Sequence, residues 1–102
     1  MGEFAVFHIS VFGKQECAKC KTTQRKLHHF LRQWDLADKV ELVFHDLDTL
    51  DGRAEGAFHD VLDIPATIVM KGGRSVARWD GDVPHSEAVR LVLKEGMHVS
   101  PH

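Results

Sequence analysis

Residues 4–20 read FAVFHISVFGKQECAKC, and the fold turns on how this stretch is read. Residues 4–12 are β-rich and almost continuously apolar, the pattern of a strand buried on both faces as parallel sheets contain. Gly13, Lys14, Gln15 and Glu16 break the run. From about residue 17 to residue 34 the spacing turns helical. Leu27, Phe30, Leu31 and Trp34 fall at i, i+3, i+4 and i+7, while Lys21, Arg25, Lys26 and Arg32 solvate the other faces. The chain's two cysteines, Cys17 and Cys20, therefore stand where a strand hands over to a helix.

Working outward, residues 40–45 (VELVFH) read as a second strand, closed by a turn-forming stretch over residues 46–52. Ala54, Ala57, Phe58, Val61 and Leu62 mark the next helical stripe, with Asp51 as its expected N-cap. Pro65 stops it, because proline disfavours helical geometry in the residue before it. Residues 67–70 form a short strand, residues 71–74 (KGGR) a hairpin turn, and residues 75–79 the returning strand. A last helix is expected over residues 84–95, with Pro84 at its first turn and Gly96 as its stop. The order is β-α-β-α-β-β-α. It predicts an α/β fold with a four-stranded mixed sheet and helices on both faces, the first β-α-β packing as a parallel unit.

At 102 residues the expectation is a single domain over residues 1–102, its core at about 4–95 and a frayed tail over 96–102. Apolar residues at 43% and charged residues at 27% describe a globular chain rather than a disordered one. A formal charge of −2 gives no reason to expect nucleic acid or a membrane surface as partner. No apolar run reaches the roughly 18–20 residues of a membrane span. The start has no signal-peptide pattern, and Val6 replaces the Ser or Thr of a myristoylation motif. The expected location is the cytoplasm.

Two cysteines three apart make a poor structural staple, since closing so short a loop removes little chain entropy. Residues three apart on a helix are neighbours, so the two sulfurs can meet without remaking the backbone. The first amides of a helix lack internal partners and carry partial positive charge, which favours Cys17 as a thiolate. Cysteines so placed have pKa values of about 3.5–7.5, against ~8.5 for a free one. Lys14, Lys19 and Lys21 surround the pair and should add to this, while Glu16 opposes them. A thiolate of this kind attacks disulfides, and Cys20 can then displace the product. The competing reading of C-x-x-C is half a zinc site, which needs two further ligands at matching spacing. His28 and His29 are adjacent, the other histidines are scattered, and there is no second C-x-x-C. No metal is expected, and no cofactor beyond the Cys17–Cys20 disulfide itself.

With this motif placed, the chain resembles the thioredoxin superfamily over roughly residues 4–95. The C-x-x-C is joined by residues 63–73, DIPATIVMKGG, which look like the family's Ile-Pro-Thr strand and the Lys-x-Gly hairpin after it. The resemblance implies a thioredoxin fold, with Cys17 attacking and Cys20 resolving. It also implies a cis bond before Pro65, and a substrate groove formed by Ile64, Pro65 and Gly81. Taken alone, Pro65 would merely end a helix and begin an edge strand. The departures are specific. Glu16 replaces the family's Trp, Ala18-Lys19 replaces Gly-Pro, and the buried Asp and Lys beneath the disulfide fall at Val11 and Phe44. Losing both charges together is physically coherent, but it leaves Glu16 or solvent to take the Cys20 proton.

Glutaredoxins lack that buried pair too, and Lys14 sits where their glutathione-binding lysine does. The chain has no Tyr, however, so their Pro-Tyr platform is missing. The expected activity is thiol–disulfide exchange on protein disulfides, by a monomer recharged by a reductase. The alternatives are a glutathione-linked reductase and a non-catalytic metal-binding module of the same fold. Of the eight histidines, His8 alternates with apolar neighbours and reads either as a core residue or as one reaching the site. Trp34 and Trp79 read as packing residues, and the lysines nearest the cysteines would bias the site toward acidic partners.

Overall fold

The computed structural model describes residues 7–97, and its seven elements follow the expected order. They are β1 (Phe7–Gly13), α1 (Ala18–Gln33), β2 (Val40–Asp46), α2 (Leu50–Phe58), β3 (Ala66–Lys71), β4 (Arg74–Asp80) and α3 (Ser86–Met97). The sheet order is β2-β1-β3-β4. β1 pairs with β2 in parallel and with β3 antiparallel, and β4 closes the sheet antiparallel to β3. Gly72 and Gly73, with φ of 60° and 81°, make the two-residue turn between β3 and β4, where positive φ matches the twist of the strands. No described helix is long and apolar enough to cross a membrane.

Alternation along β1 sorts its side chains to two faces. Phe7, Ile9 and Val11 join Val69, Leu27 and Leu31 of α1 and Val89 and Leu93 of α3 in one buried cluster. Phe12 turns the other way and packs with Ala66, Ile68, Leu47 and Val61. α2 covers this second face, and a β-carbon on its Gly56 would lie 3.9 Å from the Phe12 ring. Burial of β1 on both faces therefore holds only near Phe12. His8 is exposed and bonded to Glu41, its register partner on β2, at 2.8 Å, so it is neither a core histidine nor a site residue. Phe4, Ala5 and Val6 lie outside the described residues.

Four other expectations are corrected. The N-cap of α2 is Thr49 rather than Asp51, its hydroxyl accepting the Gly52 amide at 2.9 Å. Of its anticipated apolar stripe only Val61 packs on the core: Phe58 is 79% and Leu62 91% exposed, while Gly52 and Gly56 are buried, because the helix approaches the sheet on its glycine face. It is ended not by Pro65 but by Asp60, whose φ is 54°. The Asp60 and Val61 amides turn back to Ala57 and Gly56, the Schellman pattern. α1 ends the same way at Asp35, with φ 61° and the Leu36 amide bonded to Leu31. Finally, Gly96 does not stop α3 but lies inside it. A β-carbon there would run into the Phe7 ring, so this glycine is a packing residue. Of the anticipated tail, residues 98–102 lie outside the described residues.

Candidate active site

The loop between β1 and α1 is closed by the Cys17 amide, which donates to the Lys14 carbonyl at 3.2 Å. Cys17 then caps α1. Its backbone is extended (φ −92°, ψ 113°), and its sulfur accepts the Cys20 amide at 3.1 Å. A side-chain acceptor at this position satisfies one of the helix's orphan donors. The two sulfurs are joined in a disulfide, with the Cα atoms 5.2 Å apart, inside the usual range. The pair is asymmetric: Cys17 is half-exposed and Cys20 fully buried. Of the two, only Cys17 is reachable from solvent.

Beneath Cys20 the surroundings are apolar. A β-carbon on Gly13 would overlap the Cys20 sulfur and lie 3.4 Å from the Phe44 ring. Val11 and Phe44 are register partners across β1 and β2 and belong to the same core, so no carboxylate or lysine occupies either position. Two hydroxyls lie on this face. Thr23 stands one turn beyond Cys20, and Thr67 pairs with Val11 in the sheet. Both Oγ1 atoms are buried without a hydrogen-bond partner among the described residues.

The Ile64–Pro65 peptide bond is cis, and the Pro65 ring is fully buried. Because Phe12 pairs with Ala66, Pro65 stands beside Gly13, at the end of the sheet that carries the disulfide. The Gly81 amide donates to the Pro65 carbonyl at 2.8 Å, with φ of 81° at Gly81. The loop after β4 is drawn toward α1 by an ion pair of Lys19 with Asp82 at 3.6 Å and by Lys26 donating to the Pro84 carbonyl at 3.0 Å. Cys17, Cys20, Pro65 and Gly81 are thereby gathered at one end of the sheet.

The three lysines expected to support Cys17 have different partners. Lys14 faces Asp48 at 3.9 Å, Lys19 faces Asp82, and Lys21 lines a groove along α1. The structure adds Gly13, whose lack of a side chain makes room for Cys20, and Asp63, whose Cβ would lie 3.4 Å from a β-carbon on Gly81. No local pattern marks either residue, because each contact joins separate elements. His45 stacks on Phe12 with ring centres 4.6 Å apart. Burial holds it below the ordinary histidine value, with Glu55 opposing and His59 adding to the shift. Among the described residues no three His, Cys, Asp or Glu side chains converge as a metal site.

Solved structures provide the comparison. The chain is similar to thioredoxin-2, a component of malaria parasite protein secretion machinery, with TM-score 0.74 and 18% identity over 88% of this chain and 82% of that one. It is similar to a mutant thioredoxin from Halobacterium salinarum, with TM-score 0.76 and 15% identity over 95% and 80%. Oxidised thioredoxin from Plasmodium falciparum matches with TM-score 0.69 and 18% identity over 90% and 83%. No family model and no curated protein matches the sequence. The class is therefore defined by fold and site: a thioredoxin fold carrying a C-x-x-C disulfide at a helix N-terminus.

Proposed function

We propose that the chain is a thiol–disulfide oxidoreductase acting on protein disulfides through Cys17 and Cys20. One observation carries this reading. The sulfur of the partly buried Cys17 caps α1 and accepts the Cys20 amide, while Cys20 is fully buried behind it. In the reduced protein a Cys17 thiolate attacks one sulfur of the substrate disulfide. A Cys17–substrate disulfide forms, and the other substrate sulfur leaves as a thiolate that takes a proton from water. Cys20 loses its proton to solvent and attacks the Cys17 sulfur, releasing the second substrate thiolate. Two protein thiols are oxidised and one substrate disulfide is reduced to two thiols. A thiol reductant restores the dithiol.

An extended segment of the substrate would lie along Ile64 and Gly81, drawing on main-chain bonds that demand little of its sequence. Glutathione is the poorer fit. Lys14, which would hold one of its carboxylates, already faces Asp48, and Asp63 and Asp82 flank Gly81. The test compares insulin reduction by the dithiol form with deglutathionylation of a small mixed disulfide by the Cys20→Ser variant. Insulin reduction that disappears in Cys17→Ser is the expected result. Efficient turnover of the glutathione substrate with insulin untouched would assign the glutathione-linked activity instead. Failure of both, with metal retained on the purified reduced protein, would remove the chain from the enzymes.

A further inference from the structure

The charges of α1 are all of one sign. Lys19, Lys21, Arg25, Lys26 and Arg32 lie within it and no Asp or Glu does, although the whole chain carries −2. The opposite excess lies over residues 46–63, where Asp46, Asp48, Asp51, Glu55, Asp60 and Asp63 outnumber the single Arg53. This acidic stretch includes α2, on the other face of the sheet. Lys19 and Lys26 are engaged by Asp82 and the Pro84 carbonyl. Lys21, Arg25 and Arg32 are spaced by four and seven, which puts them on one face of the helix. All three are exposed.

That face overlooks a groove. Lys21, Arg25, His28 and Arg32 rim a space of about 850 Å³ between α1 and the start of β2, with Leu31, Val40 and Leu42 at its base. β2 is an edge strand, so the groove opens along the side of the sheet. Its one acid among the described residues, Glu41, is bonded to His8. Lys21 directly follows Cys20, and the row of cations extends about 16 Å from there, at 1.5 Å per residue along the helix.

We propose that this groove docks an acidic protein segment, one whose carboxylates meet Lys21, Arg25 and Arg32 and whose aliphatic side chains reach Leu31 and Leu42. The inference rests on the proposed oxidoreduction only in assigning the segment to the disulfide-exchange partner, which would place that partner's disulfide beside Cys17. Fixed cations above an apolar base complement an amphipathic acidic peptide. Single-stranded nucleic acid is recognised by stacking on aromatic side chains, and among the described residues no Phe or Trp lines the groove. The acids over residues 46–63 would also repel a long polyanion.

The experiment uses the oxidised protein, so no electron transfer enters the readout. A fluorescein-labelled Glu-Glu-Leu-Glu-Glu-Leu-Glu-Glu peptide is titrated by anisotropy at low and physiological salt, beside its Lys-for-Glu counterpart and an oligothymidylate of equal charge. The acidic peptide should bind and weaken by about tenfold as salt screens the contact. Lys21→Glu with Arg25→Glu and Arg32→Glu should abolish binding, while Arg25→Lys with Arg32→Lys should keep it. Surface substitutions of this kind leave folding almost unchanged, which circular dichroism verifies. Equal binding by the charge-reversed protein, or tighter binding of the oligothymidylate, overturns the proposal. Peptide binding by a protein that leaves insulin untouched supports the groove and removes only the proposed oxidoreduction.

Discussion

The backbone of Gly13 lies directly against the side chain of Cys20: a β-carbon at position 13 would stand 2.7 Å from the Cys20 Cβ and overlap its sulfur. Since Cys20 is fully buried, it has nowhere to retreat. Gly13→Ala should destabilise the oxidised protein by about 1–3 kcal/mol, the usual cost of overfilling a packed core. It should also slow closure of the disulfide. Chemical denaturation and the rate of thiol loss under mild oxidant measure both, and an alanine accepted without effect would refute this packing.

At the other sulfur the expectation is electrostatic. In the reduced protein the Cys20 amide and the α1 N-terminus favour a Cys17 thiolate, so its alkylation midpoint should lie below the ~8.5 of free cysteine. A pKa lowered by folding stabilises the reduced fold fully above that unfolded value. The contribution is lost as pH falls through the folded one. A midpoint at or above ~8.5 would contradict the capping geometry.

Thr23 and Thr67 bury hydroxyls that find no partner among the described residues. Replacing an unsatisfied buried hydroxyl by a methyl removes a desolvation cost, so Thr23→Val or Thr67→Val should stabilise by about 1 kcal/mol. Denaturant titration decides it. A loss of that size instead would show that the hydroxyl is hydrogen-bonded.

Asp60 holds a left-handed conformation at the end of α2, which costs a non-glycine residue about 1–2 kcal/mol. Asp60→Gly relieves the strain and gives back part of it through the freer unfolded chain. A net gain of about 0.5–1 kcal/mol in thermal or chemical stability is expected. No gain would mean that the aspartate side chain makes a compensating bond.

His45 should make stability fall in mild acid. Burial, the largest cause, lowers its folded pKa, His59 adds to this, and Glu55 opposes it. As pH drops through the unfolded value of ~6.5, the unfolded chain takes up a proton that the folded one refuses. The loss is complete below the folded pKa. The denaturation midpoint should decline less steeply with acid in His45→Gln than in the parent, and parallel profiles would exclude His45 as the source.

How far the sequence was legible depends on the range of the interaction. The element order, the hairpin at Gly72–Gly73 and the cysteines at the start of α1 rest on near-neighbour chemistry: turn conformations, apolar periodicity and helix-terminal amides. All of these act within a few residues. The resemblance over residues 63–73 implied the cis bond before Pro65, which the structure has, and the disulfide pairing followed from one-turn spacing. The errors fall where a local pattern had two physical uses. Gly96 looks like a helix stop, but the demand that mattered was room for the Phe7 ring. Phe58 and Leu62 look like a core stripe, yet α2 meets the sheet through Gly52 and Gly56.

By itself, then, the sequence determined which segments are strands and helices and that Cys17 and Cys20 share a helical turn, because backbone hydrogen bonding and side-chain period are local. Only the tertiary structure decided which cysteine is buried and that Gly13 clears its sulfur. It also decided that Lys14 and Lys19 turn to Asp48 and Asp82, and that the cations of α1 overlook a groove beside β2. Those relationships join residues on different elements, and the register of the sheet and the packing of α1 on it set the distances between them.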